Sequence, residues 1–171
     1  SVQILKDIPY LGPDREEKLD AYLPPESFTR PVPAVLLIHG GGWRGGGRAN
    51  ARERNIANTL ASHGYAVFSI SYLLNRGSPD PETKRMNLSF IAWPQNFYDC
   101  KTALRYLRAH ATDYNIDPGR IAVMGSSAGA HLSMLVGSTA GHAELNQHGL
   151  YTDQPNHVSA IISFYGDYDI R

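Results

Sequence analysis

The chain has 171 residues, 42% of them hydrophobic and 19% charged, enough for one domain with a real core. Lys plus Arg and Asp plus Glu both number 16, so no long-range field draws it to nucleic acid or to an anionic membrane surface. Cys100 is the only cysteine, which excludes an intrachain disulfide and a thiolate metal cluster, and no apolar run approaches the length of a membrane span.

The chain opens Ser1-Val2-Gln3, with neither an initiator methionine nor a signal peptide, which leaves the compartment, cytoplasmic or secreted, undecided. Val2–Pro9 reads as a short edge strand. Asp14-Arg15-Glu16-Glu17 reads as a polar hairpin tip, and Lys18–Leu23 alternates polar and apolar as a half-buried antiparallel strand does. Pro24, Pro25, Pro31 and Pro33 punctuate a loop. Ala34–Ile38 is short and continuously apolar, as expected of a strand covered on both faces. The glycines of 40–47 exclude regular structure there. Arg44, Arg48, Arg52 and Arg54 read as a solvated loop and helix face.

Arg52–His63 has a helical stripe and Gly64 at the expected stop. Ala66–Tyr72 is a second buried strand, and Asn75–Asn87 reads as an exposed polar loop that leads to the apolar 88–94 segment. Gln95–Tyr114 predicts one long amphipathic helix, its apolar face formed by Tyr98, Leu104, Leu107 and Ala111. Cys100 is expected on a face of it as a structural thiol, and Asp99 as a structural residue of its first turn. Asp117-Pro118-Gly119 is a turn, Arg120–Met124 a strand and Ala128–Ser138 a helix. A polar stretch follows, then a last strand, Val158–Tyr165, expected to be buried on both faces. Strand and helix alternate as in an α/β fold with right-handed crossovers and a mostly parallel sheet, preceded by antiparallel N-terminal strands. His39, Gly40–Trp43, Tyr72, Ser127 and Gly166-Asp167 all fall at carboxyl ends of strands, where ligand sites of such sheets lie.

Gly125-Ser126-Ser127-Ala128-Gly129 is a G-x-S-x-G turn between a buried strand and a helix. Such a turn exposes the hydroxyl of its central serine, Ser127, at the start of the helix, where free N–H groups favour developing negative charge. Ala128 can supply one backbone N–H to an oxyanion. Upstream, His39-Gly40-Gly41-Gly42-Trp43 ends another strand, and Gly41 and Gly42 would supply further donors. Ser126 reads as a turn residue and His39 as a ring that orients the loop. Trp43 either walls the pocket or anchors the loop, and Trp93 either lines the pocket from the other side or packs on the sheet. His131, one turn past Ser127, is held behind the nucleophile in a satisfied supporting role. His142, His148 and His157 lack metal-ligand spacing, so neither metal nor cofactor is expected.

These motifs, with Asp117–Ile121 before the turn, Ala130-His131-Leu132 after it and Leu19–Pro24 at the front, resemble the α/β-hydrolase superfamily. The likeness is to the esterase/lipase group that includes hormone-sensitive-lipase-like carboxylesterases, feruloyl and acetyl-xylan esterase-like proteins and kynurenine formamidases. It implies a three-layer α/β-hydrolase fold, with Ser127 as nucleophile and Gly41, Gly42 and Ala128 as oxyanion hole. It further implies hydrolysis of small acyl esters, acetyl or feruloyl groups on carbohydrate among them, through an acyl-enzyme. An amide or formamide hydrolase, or a hydrolase-like binding domain without turnover, would use the same parts. In that family the acid and histidine follow two further strands. Residues 1–171 are therefore expected to be the N-terminal part of one such domain, with a second polypeptide segment completing the sheet and the triad.

Overall fold

The computed structural model of the chain describes residues 1–169. A six-stranded mixed sheet lies between two helical layers. Its strands are β1 (Gln3–Ile8), β2 (Leu19–Leu23), β3 (Val32–Ile38), β4 (Ala66–Ile70), β7 (Ile116–Ser126) and β8 (Ala160–Phe164), in the spatial order β1-β2-β4-β3-β7-β8. β1 and β2 join antiparallel, and β4, β3, β7 and β8 run parallel. This is the expected α/β-hydrolase arrangement. Parallel neighbours need crossovers, and the helices supply them: α1 (Ala51–Ser62), α2 (Gln95–Ala109), α3 (Ala111–Tyr114) and α4 (Ala128–Ser138).

Alternation along β3 divides the core. Val35 and Leu37 pack with Ala57 and Ala61 of α1. Ala34, Leu36 and Ile38 face the opposite way, toward Cys100, Leu104 and Leu107 of α2 and Leu132 and Val136 of α4. Cys100 is fully buried in this larger cluster. The burial of β3 follows from its continuous apolar run, and β4 is buried with it, its one polar side chain, Ser69, donating to the Arg48 carbonyl (2.9 Å).

Five expectations need correction. The predicted turn at 117–119 lies within β7, which begins at Ile116 rather than at Arg120. The predicted helix over 95–114 ends at Ala109; His110 leaves helical geometry, and the single turn α3 stops at Asn115, whose φ of +56° is left-handed, a conformation Asn tolerates. The predicted loop over 75–87 is largely a hairpin, β5 (Arg76–Pro79) with β6 (Met86–Phe90), its turn fixed by Asp80 Oδ1 accepting from the N–H groups of Glu82 (2.9 Å) and Thr83 (2.7 Å). It stands apart from the main sheet and every residue of its two strands is exposed. β8 is partly exposed rather than buried on both faces; among the described residues it pairs with β7 alone. Finally, two of the polar segments are not simply solvated. Arg15 clasps the buried Asp99, and Arg48 reaches Asp20 (3.0 Å) and Asp7.

The stretch after α4 is held down from α2 by cations. Lys101 Nζ donates to Thr139 Oγ1 (2.9 Å), Arg105 to the Leu150 carbonyl (3.0 Å) and Asn156 Oδ1 (3.0 Å), and Arg108 to the Pro155 carbonyl (2.9 Å). Backbone carbonyls of a segment with little regular structure thus find donors without solvent.

Candidate active site

At the end of β7 the chain turns sharply into α4, and Ser127 occupies the bend with φ +54° and ψ −121°. Such a conformation is strained for a residue with a side chain. The turn is tight enough to demand its two glycines. A Cβ on Gly125 would lie 2.3 Å from the Gly129 carbonyl oxygen, and one on Gly129 would lie 2.1 Å from that of Ile38. Ser127 is exposed, its N–H donates to the Phe164 carbonyl of β8 (2.9 Å), and its carbonyl accepts the His131 N–H (3.1 Å).

The glycine-rich turn after β3 comes up against this bend. A methyl on Gly40 would fall 3.3 Å from Ser127 Cβ. Gly41 and Gly42 have φ +123° and +60°, and the Gly41 carbonyl closes the turn by accepting from Arg44 and Gly45. Among the described residues the N–H groups of Gly41, Gly42 and Ala128 donate to no protein acceptor. His39 is buried and lies flat on Tyr72, 4.3 Å between ring centres. Its Nδ1 meets the Gly40 carbonyl (2.6 Å), and Tyr72 Oη donates to its carbonyl (2.7 Å). Burial pulls its pKa below the ordinary value. This histidine shapes the turn, as its place in the sequence implied.

One cavity opens at the bend and a second lies farther along α4, at His131 and Leu135. The first, about 360 Å³, holds Ser127, Gly40 and Gly41 with Asn50, Arg52, Glu53 and Ser126. The other, about 620 Å³, is walled by Trp43, Ile91, Trp93 and Leu135, with His131 and Tyr168. Trp43 and Trp93 therefore both line a pocket, and Trp93 stacks on Phe97 at 5.6 Å. His131 sits edge-on to Trp43 at 5.5 Å. It is not satisfied: its Nδ1 is buried without a partner. Burial lowers its pKa, with Asp167 acting weakly the other way.

Among the described residues no side chain hydrogen-bonds Ser127 Oγ. His110 pairs with Asp113 (2.8 Å), His148 stacks on Tyr98 (4.0 Å), His63 meets the Thr59 carbonyl, and His142 and His157 are exposed. Arg52 and Glu53 both line the nucleophile cavity; Arg52 is also exposed, as its place on a solvated helix face implied, whereas sequence patterning did not single out Glu53. Glu53 is buried, and that burial raises its pKa. The available signal was their place at the start of a helix just after the glycine turn. Among the described residues no cluster of metal-ligating side chains is present, and no helix is long and apolar enough to cross a membrane.

Known proteins align with this chain over most of its length. Esterase LipC of Mycobacterium tuberculosis is 33% identical over 158 residues, 92% of this chain and 36% of its own. The chain spans about a third of the length of this and two other curated relatives it matches. Among solved structures, a bifunctional GH43-CE protein of Bacteroides eggerthii superposes with a TM-score of 0.73 at 29% identity, covering 97% of this chain and 21% of that one. A truncated carbohydrate esterase from gut microbiota gives the same TM-score and identity, covering 96% of this chain and 56% of the other. The BD-FAE family model matches residues 19–171, and the chain belongs to that family of the α/β-hydrolase superfamily.

Proposed function

We propose that Ser127 is the nucleophile of a serine hydrolase acting on carboxylic esters with small acyl groups. The observation that carries this reading is the strained backbone of Ser127, which exposes a hydroxyl with no side-chain partner beside a turn in which the Gly41 and Gly42 N–H groups are unspent. Strain of this kind persists only where the surroundings impose it, and it concentrates at functional sites.

In the proposed reaction Ser127 Oγ gives its proton to a base and attacks the ester carbonyl carbon. The N–H groups of Gly41, Gly42 and Ala128 hold the resulting oxyanion, each donor contributing roughly 3–4 kcal/mol to the transition state. The C–O bond then breaks, the alcohol leaves with the proton, and water attacks the acyl-enzyme in the same way to release the acid. The base and the acid that orients it are assigned to a second polypeptide segment, since the chain's seven histidines make other contacts or lie exposed. The same segment would supply a strand beside the partly exposed β8. Acetyl or feruloyl groups on carbohydrate are the proposed substrates. Esterase LipC and the carbohydrate esterase support the ester and the sugar respectively, and the aromatic walls of the larger cavity suit a ring.

A fluorophosphonate probe tests this on the full-length protein. The wild type and Ser126→Ala should take up one label, and Ser127→Ala should take up none and lose ester turnover by several orders of magnitude. Label mapped to Ser126, or undiminished label on S127A, would refute the assignment.

A further inference from the structure

The cavity that contains Ser127 has a cation in its wall that the fold does not neutralise. Arg52 is the second residue of α1, where the helix dipole favours an acid and disfavours a positive charge. Arg15, Arg48 and Arg120 each meet a carboxylate at 3.0 Å or less. Among the described residues Arg52 meets none. It is held by neutral groups instead: Nη1 donates to Ser126 Oγ (3.2 Å) and to the Tyr165 hydroxyl, and the guanidinium carbon lies 5.4 Å from the centre of the Tyr165 ring. Both hydrogen bonds use Nη1, so Nε and Nη2 remain unspent. A guanidinium presents its donors in a planar fork that fits a carboxylate with two parallel bonds. Glu53, which lines the same cavity, feels the charge of Arg52 but forms no ion pair with it. Burial works against its ionisation, which weakens it as an internal competitor.

We propose that Arg52 binds a carboxylate carried by the ester substrate, so that the protein selects acidic esters over neutral ones of the same shape. A cation set against the helix dipole, oriented by uncharged partners and opening onto the space beside the nucleophile is arranged for an anion that arrives from outside. The proposal rests on the reading of Ser127 as nucleophile only for where the ester bond lies.

The test uses the full-length protein and two acetyl esters, of 4-hydroxybenzoate and of 4-hydroxybenzamide, with rates normalised to their hydroxide-catalysed hydrolysis. The wild type should favour the carboxylate by roughly tenfold in kcat/KM, the scale of a charge-assisted contact, and the preference should fall with added salt. In Arg52→Gln the ratio should approach one, and Arg52→Lys, a point charge without the fork, should keep part of it. Equal ratios in wild type and R52Q, or a wild type that prefers the amide, would overturn the proposal. Calorimetric titration with 4-hydroxybenzoate separates this from the hydrolase reading. If neither ester turns over, carboxylate binding that R52Q abolishes sinks the hydrolase and keeps the site, whereas binding indifferent to R52Q sinks the site.

Discussion

Arg15 grips Asp99 with both arms of its guanidinium, Nη1 to Oδ1 at 3.1 Å and Nη2 to Oδ2 at 2.7 Å. Asp99 is fully buried near the start of α2 and also accepts from Gln95 Nε2 (2.9 Å) and the Leu73 N–H (2.9 Å). One carboxylate thus ties the segment between β1 and β2, the chain after β4 and α2 together.

Breaking this pair should be costly because it strands a buried charge. Arg15→Met is expected to destabilise the protein by about 3 kcal/mol in urea unfolding at pH 7. The double replacement R15M/D99L should recover most of that loss, since the remaining site is apolar and the penalty of the orphaned charge is gone. A loss in R15M below about 1 kcal/mol, the scale of an exposed pair, would show that solvent reaches Asp99.

Gly129→Ala should act on both stability and function. The added Cβ would lie 2.1 Å from the Ile38 carbonyl oxygen and 2.5 Å from that of His39, and neither backbone group can yield without shifting β3. A cost of about 3 kcal/mol is expected, at the upper end for overpacking. Because β3 carries the glycine turn, the shift should also move Gly41 relative to Ser127, so residual folded protein should react more slowly with a fluorophosphonate. Unchanged stability would mean that the strand and helix are farther apart than described.

The features legible in the sequence were those whose chemistry is local. Gly125, Ser127 and Gly129 announce a strand-to-helix bend because only glycine admits that backbone approach, and β3 announces itself as a continuous apolar run. The hairpin of β5 and β6 was not legible as strands because it is exposed on both sides, so no buried face imposes alternation; only Met86, Leu88 and Phe90, spaced by two, carry the period. The end of α2 at Ala109 has no glycine or proline to mark it. The burial of β8 was overestimated because composition reports what a strand could bury and not what covers it. Arg52 and Glu53 were missed for a different reason: their patterning is that of an ordinary helix face, and only the packing of α1 against the sheet puts them beside Ser127.

His131 offers a check on which histidine serves Ser127. Its Nδ1 is buried without a partner and its ring packs against Trp43, and it makes no hydrogen bond to Ser127 Oγ. His131→Leu should therefore leave fluorophosphonate labelling of Ser127 in place. It should also raise stability by about 1 kcal/mol, as removal of an unsatisfied buried polar atom does. The larger cavity would lose its only imidazole, so KM for aromatic esters should change more than kcat. Abolished labelling in a variant that remains folded would make His131 the base and remove the need for a histidine from elsewhere.

Lys101 should give the fold a pH dependence at the alkaline end. Its side chain is buried on α2, donates to Thr139 Oγ1 at 2.9 Å and has no carboxylate partner among the described residues. Burial, reinforced by the like charge of Arg105, lowers its pKa to about 8. In the unfolded chain it titrates near 10.4. Below about pH 8 both states are protonated, and the fold carries the full cost of a buried ammonium. Between these two values the unfolded state binds more protons than the folded one, so stability rises with pH across that window. Lys101→Met removes the term. Its advantage over the wild type should be largest near pH 7 and shrink by about 2 kcal/mol by about pH 10.5, given 1.36 kcal/mol per unit with allowance for partial hydration. Taking the difference between the two proteins cancels the tyrosines, whose burial-raised pKa values act oppositely above about pH 10. Urea unfolding of both at pH 7, 8.5 and 10.5 measures it. A constant difference across the series would mean that Lys101 keeps an ordinary pKa and that the segment after α4 opens to water around it.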